Sequence, residues 1–271
     1  MRSLRFGSSA LVIAMLASGV TAHAQEADAA KKETATQGGD VIIVTAQKRE
    51  QTLAEIPQSI SVLGGEKLEQ QQETSFVDYA AQVPGLSLEQ SNPGQTRVIL
   101  RGVNTGGASP TAAFFVDEKP FSPSTGQANG AVLAGDIDTF DIERVEVLRG
   151  PQGTLYGANS LGGLVKFVTV KPRLGEFEAR VRAGFELTDG GSEGYSGNAV
   201  VNVPLGDSLA VRASGYYRKS GGFIDTIGID RKDANDFESY GGRASLLFEP
   251  TTNFSVRLTA LAQNIRANSQ A

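Results

Sequence analysis

The chain has 271 residues, with 25 basic and 30 acidic side chains, one histidine and no cysteine. This excludes a disulfide scaffold, a cysteine-ligated metal site and a thiol nucleophile. The acidic balance excludes the basic footprint of a nucleic-acid binder.

At the start, Arg2 and Arg5 precede the apolar run Ala10 to Leu16, and small residues lead to Ala22-His23-Ala24. That order predicts a secretory signal peptide over residues 1–24, cut after Ala24. The run is too short for a membrane helix, and no later stretch reaches the roughly 18 apolar residues one needs. Cleavage removes the only histidine and leaves 23 basic against 30 acidic residues, so His-dependent catalysis is excluded too. An exported chain without cysteine must be stabilised by size or by a closed sheet.

Residues 25–39, "QEADAAKKETATQGG", hold no aromatic or large aliphatic side chain and predict a solvated, flexible linker. "DVIIVTAQKRE" (40–50) then places an apolar, β-branched run in front of a charge cluster, with no hairpin partner beside it. Taken alone, that run reads as an ordinary buried strand.

Residues 51–172 predict a small α+β domain. Strands are expected at Ser59 to Leu63, Arg97 to Leu100, Ala113 to Val116, Ile142 to Arg149 and Leu164 to Thr169. "TSFVDYAAQVPG" reads as a short helix capped near Thr74 or Ser75 and stopped at Pro84-Gly85. Glycines at 150, 153, 157, 162 and 163 read as structural turns. The connections "GVNTGGASP" and "FSPSTGQANG" read as loops.

From 173 to 271 the period changes to two. Phe177, Ala179, Val181, Ala183, Phe185 and Leu187 fall on one face, while Glu178, Arg180, Arg182 and Glu186 fall on the other. The pattern recurs with Ala199, Val201, Val203 and Leu205, then with polar-face residues Arg212 and Arg218, then Arg243, then Arg257, giving about five strands. "PLGDS" and "EPTTN" read as tight turns and Lys219 to Glu238 as a long polar loop. Alternation fits a soluble antiparallel sandwich or a transmembrane barrel equally well; the signal peptide and the turn asymmetry favour the barrel.

The stretch "DIERVEVLRGPQGTLYGANSLGGLVKFVTVKP" (Asp141 to Pro172) resembles the end of the plug domain in TonB-dependent outer-membrane receptors. "VPGLSL" (Val83 to Leu88), "ILRGV" (Ile99 to Val103) and "FFVDEKP" (Phe114 to Pro120) resemble other plug positions in the right order. Leu164 and Lys166 depart from it, standing where small or polar residues and arginine are frequent. The resemblance implies an α+β plug followed by the first strands of an antiparallel transmembrane β-barrel. That barrel is incomplete here, since such receptors close about 22 strands.

It also implies the activity: energised uptake of a scarce solute that is siderophore-, cobalamin- or saccharide-like. The chain is placed in the Gram-negative outer membrane, N-terminus in the periplasm, amid outer-membrane lipid. Its partners are TonB, working with ExbB and ExbD in the inner membrane, and the extracellular solute. No cofactor is implied. The "VIIV" run becomes a TonB box, an extended peptide that adds to the partner's sheet edge through Ile42, Ile43, Val44, Thr45 and Ala46. Arg101, Glu146 and Arg149 are implied at the contact between plug and barrel, and Asn104, Thr105, Gly106, Ser122 and Gln127 near solute.

Other readings are weaker. An enzyme lacks a nucleophile with a base, and there is no Walker A sequence. "DIDTFDIE" (Asp136 to Glu143) puts Phe140 and Asp141 where a calcium loop needs an acidic ligand and the turn glycine, so no metal site is expected. The alternative is a stand-alone periplasmic plug module that binds TonB without transporting.

Overall fold

The computed structural model describes residues 42–92, 95–105, 110–121, 137–226 and 232–267. The expected signal peptide and linker lie outside the described residues, as do Asp40 and Val41.

The first elements are a short antiparallel pair, β1 (Ile43–Val44) with β2 (Gln51–Thr52). So the apolar run does have a local partner. It escaped notice because the connecting turn has no glycine; Lys48 takes the left-handed conformation instead, at φ 58°. A 3-10 turn at Leu53–Glu55 leads to β3 (Ser59–Gly64), α1 (Gly65–Gln70) and α2 (Phe76–Ala80). Asp78 starts α2 by accepting from the Ser75 N–H at 2.7 Å and the Thr74 N–H at 3.0 Å.

A hairpin follows, β4 (Leu86–Asn92) with β5 (Gln95–Leu100). Then come β6 (Ala112–Val116), β7 (Lys119–Pro120), β8 (Ile142–Arg149), the single-turn helix α3 (Gly153–Tyr156) and β9 (Gly163–Thr169). Strands β3, β8, β9, β6 and β7 form one sheet in that order, antiparallel except between β6 and β9.

Both faces of this sheet are covered. Val145, Val147, Val165 and Phe167 pack with Leu68, Phe76 and Tyr79 of the helices. On the other face Leu148, Leu164 and Phe115 pack with Ile56 and with Val44 and Ala46 of the N-terminal segment. Coverage on two sides is why β9 is buried at every position, Lys166 and Thr169 included.

Gly163 is fixed by more than its turn. At φ 143° an added Cβ would lie 2.1 Å from the Leu148 carbonyl oxygen and 2.8 Å from a Leu100 methyl. Gly163→Ala is therefore expected to destabilise the sheet by roughly 3 kcal/mol, from backbone strain and the clash together. A lowered urea midpoint for protease protection of residues 51–172 measures it.

The second region is a meander of five long antiparallel strands in chain order. They are β10 (Glu178–Leu187), β11 (Glu193–Pro204), β12 (Leu209–Ser220), β13 (Phe237–Thr251) and β14 (Phe254–Ala267). Register turns the alternation into rows across the sheet. Glu178, Asn202, Arg212, Ser245 and Thr259 lie side by side on one face; Ala179, Val201, Ala213, Ala244 and Ala260 form the next row, on the other. The polar face packs on the α+β domain, and the apolar face leaves Phe177, Val181, Phe185 and Leu187 between 68 and 82% exposed. Among the described residues β10 and β14 have one neighbour each, so this sheet is open.

Candidate functional site

Two sets of contacts deserve description: the seat that holds the N-terminal segment, and the ionic contact between the α+β domain and the strand wall.

The seat is built on β8, β9 and α3. Val44 and Ala46 are fully buried, while Ile42 and Ile43 remain 43% and 50% exposed. Thr45 is gripped through its backbone: its N–H donates to Glu146 Oε1 at 2.9 Å and its carbonyl accepts from Lys166 Nζ at 3.1 Å. Its hydroxyl also donates to Glu146, at 3.2 Å. The Tyr156 hydroxyl donates to the Ala46 carbonyl at 2.8 Å, and its ring meets Phe115 edge-on at 5.0 Å. Burial, with Glu118 and Glu146 nearby, pushes the Tyr156 phenol up, so it stays protonated and keeps donating.

Glu146 and Lys166 are directly opposite one another on β8 and β9, and both are buried. They nevertheless look elsewhere. Lys166 reaches Thr45 and pairs with Glu118, and Glu146 Oε1 also accepts from Arg144 Nε at 2.8 Å. With Ile42 accepting from the Leu53 N–H at 2.8 Å as well, the carbonyls of Ile42, Thr45 and Ala46 and the Thr45 N–H are all engaged within the chain. A segment held this way cannot add to another sheet until it leaves the seat.

The ionic contact is polarised: acids come from the α+β domain and arginines from the wall. Asp141, 1% exposed, accepts from Arg212 Nε at 3.0 Å and Arg243 Nη2 at 2.9 Å, and lies 3.5 Å from Arg180 Nη2. Glu69 accepts from Arg180 at 3.1 Å and Arg182 at 2.9 Å. Both guanidinium groups also lie over the Phe140 ring. Asp138 pairs with Arg218 at 3.7 Å and Asp117 with Arg257 at 3.1 Å.

Among the described residues, Arg101, Glu146 and Arg149, expected at the contact between plug and barrel, make other contacts. Glu146 holds Thr45 and Arg144; Arg149 donates to the Pro84 carbonyl at 3.1 Å. Arg101 is exposed, with its backbone N–H on the Gly85 carbonyl at 2.7 Å. The described ion pairs to the wall are made by Glu69, Asp117, Asp138 and Asp141. The polar-face arginines were the available signal, because a row of buried cations demands acids opposite it.

Of the residues expected near solute, Asn104 and Thr105 are exposed, and Gly106, Ser122 and Gln127 lie outside the described residues. A cleft of about 1060 Å³ opens between the α1–α2 stretch and the wall, lined among others by Gln70, Thr74, Asp78, Arg182, Ser196 and Arg218. Among the described residues no group of His, Cys, Asp and Glu has metal-site geometry, and no helix is long and apolar enough to cross a membrane.

Residues 52–164 match the family model of the TonB-dependent Receptor Plug Domain. The Vitamin B12 transporter BtuB of Vibrio vulnificus is 30% identical over 228 residues, covering 83% of this chain and 33% of that protein. A hemin receptor of Yersinia pestis is 31% identical over 171 residues, covering 61% of this chain and 24% of its own. The pyoverdine outer membrane receptor FpvA of Pseudomonas aeruginosa PAO1 superposes with a TM-score of 0.65 at 23% identity, over 82% of this chain and 30% of that one. For the ferric yersiniabactin uptake receptor FyuA of Yersinia pestis the TM-score is 0.63 at 21% identity, over 77% and 32%. These two likenesses concern the fold. The chain spans about a third of the length of the curated relatives it matches.

Proposed function

The chain belongs to the TonB-dependent receptors through its plug domain, and on that premise we propose that it serves energised solute uptake across the outer membrane. The seated Ile42–Ala46 segment is the TonB box. The observation that carries this reading is the seat itself: an extended segment held at Thr45 and Ala46 by side-chain hydrogen bonds, with a ladder to the domain of only two residue pairs. Such a segment can be exchanged for a partner's sheet edge without unpairing the five-stranded sheet. TonB, driven by ExbB and ExbD, then pulls from the periplasm, where the N-terminus lies, and displaces part of the plug. Solute of the cobalamin, haem, siderophore or saccharide kind enters from outside. A photo-crosslinking residue at Ile42 is expected to capture the periplasmic domain of TonB when solute is bound. No adduct under energised conditions would reject the assignment.

The outer face of the strands supports the membrane placement. On β13 Tyr240 and Phe248 face outward eight residues apart, about 27 Å along a strand and about 20 Å once tilted, near the apolar band of such barrels. Val181, 82% exposed on that face, makes the test: Val181→Arg is expected to cost about 2–4 kcal/mol of membrane insertion. Density fractionation reads it as loss from the outer membrane. Normal insertion would argue that this face meets water.

A further inference from the structure

We propose that the Asp117–Glu118 turn is a positioning element that makes retention of the box depend on how the plug sits against the wall. The proposal rests on the Ile42–Ala46 segment being the box.

Two consecutive acids at one tight turn between β6 and β7 look in opposite directions. Asp117 faces the wall, where Arg257 Nη2 of β14 lies 3.1 Å from its carboxylate. Glu118 faces the seat and pairs with Lys166, the ammonium that donates to the Thr45 carbonyl. One peptide unit therefore separates a wall contact from a box contact.

The turn is stiff enough to pass on a displacement. Asp117 is held left-handed at φ 53°, its N–H donates to the Phe167 carbonyl at 2.8 Å, and its carboxylate accepts from the Thr169 N–H at 2.9 Å and the Thr169 hydroxyl at 3.0 Å. Lys166 is 1% exposed, so its charge must keep its acceptors. If the turn shifts, Lys166 either follows Glu118 and leaves Thr45, or stays and loses its carboxylate. In both cases the grip on the box weakens.

Among the described residues, the hydrogen bonds and ion pairs of the other wall contacts lead elsewhere. Asp138, Asp141 and Glu69 sit before β8 and on α1, and their described partners do not include the box. Among the described residues a further ion pair near the seat joins Lys171 to Glu50 at 3.4 Å, exposed on both sides and correspondingly weak. This singles out Arg257 among the wall arginines.

The test uses the full chain in outer-membrane vesicles with one nitroxide label at Ile43→Cys, a half-exposed position in a chain with no other cysteine. Glu118→Gln is expected to raise the ratio of mobile to immobile label about tenfold, the loss of one charged hydrogen bond. Arg257→Gln is expected to raise it roughly threefold, since that pair is partly solvated. Arg257→Lys restores the immobile spectrum. The Glu118→Gln and Arg257→Gln double variant goes no further than Glu118→Gln alone, because both act on one path. Arg218→Gln, at the wall contact with Asp138, leaves the label seated, which separates coupling from general loosening. An unchanged spectrum in Arg257→Gln, multiplying effects in the double variant, or equal mobilisation by Arg218→Gln overturns the proposal. The readout does not involve TonB, so a segment that responds as expected but fails to crosslink would reject the box assignment and leave the coupling intact.

Discussion

Asp141→Asn is expected to loosen the plug from its wall at a cost of about 3–5 kcal/mol, the penalty for stranding buried charge. The replacement is isosteric, and asparagine tolerates the left-handed φ of 61° that Asp141 adopts, so the backbone is spared. What is lost is the charge that Arg212 and Arg243 share, both guanidinium groups being almost fully buried. Arg212 retains Glu178 at 2.9 Å, whereas Arg243 keeps only neutral acceptors at residue 141. Adding Arg243→Met is therefore expected to recover part of the loss, because the cost is the uncompensated cation rather than the missing bond. Protease sensitivity of the plug in intact outer membranes measures both steps. If Asp141→Asn is as resistant as the parent chain, the ionic contact does not hold the plug.

Thr45→Pro is expected to reduce solute uptake at least about tenfold while the receptor still assembles. Proline removes the N–H that Glu146 accepts at 2.9 Å, and the same donor is needed for a ladder with TonB. One lost main-chain hydrogen bond is worth about 1 kcal/mol in either state, and the fixed ring adds a clash in the extended partner strand. Assembly is spared because Thr45 lies outside the five-stranded plug sheet and next to a pair of only two residues. Uptake by outer-membrane-intact cells is the measurement, with protein level as control. Undiminished uptake would reject the assignment of this segment as the box.

Much of the fold was legible because its periods are clean. The strand from Ile142 to Arg149 and the alternation from Phe177 onward follow from residue order, since each side chain's face is set locally. Helix α1 was missed because it begins at Gly65, has six residues and carries one large apolar side chain, Leu68. Strand β4 was missed because "LSLEQSN" is polar beyond its first turn of alternation. The candidate sites were less legible for a different reason. Glu146 meets Thr45 across 101 residues, and Asp141 meets Arg212 across 71. Residue type indicated that these charges needed partners. Only the docking of sheet on segment, and of domain on wall, decides which partners they find.

The polarised contact also sets a vertical position. Arg257, Arg212, Arg243 together with Arg180, Arg182 and Arg218 occupy five successive rows of the wall, and Asp117, Asp141, Glu69 and Asp138 meet them in that order. Rows on one face repeat every two residues, about 7 Å along a strand. A plug displaced by one such step would bring several acids opposite serine, glycine or alkyl side chains and leave arginines bare. The arrangement works as a vernier: no single pair needs to be strong, yet only one height satisfies them all.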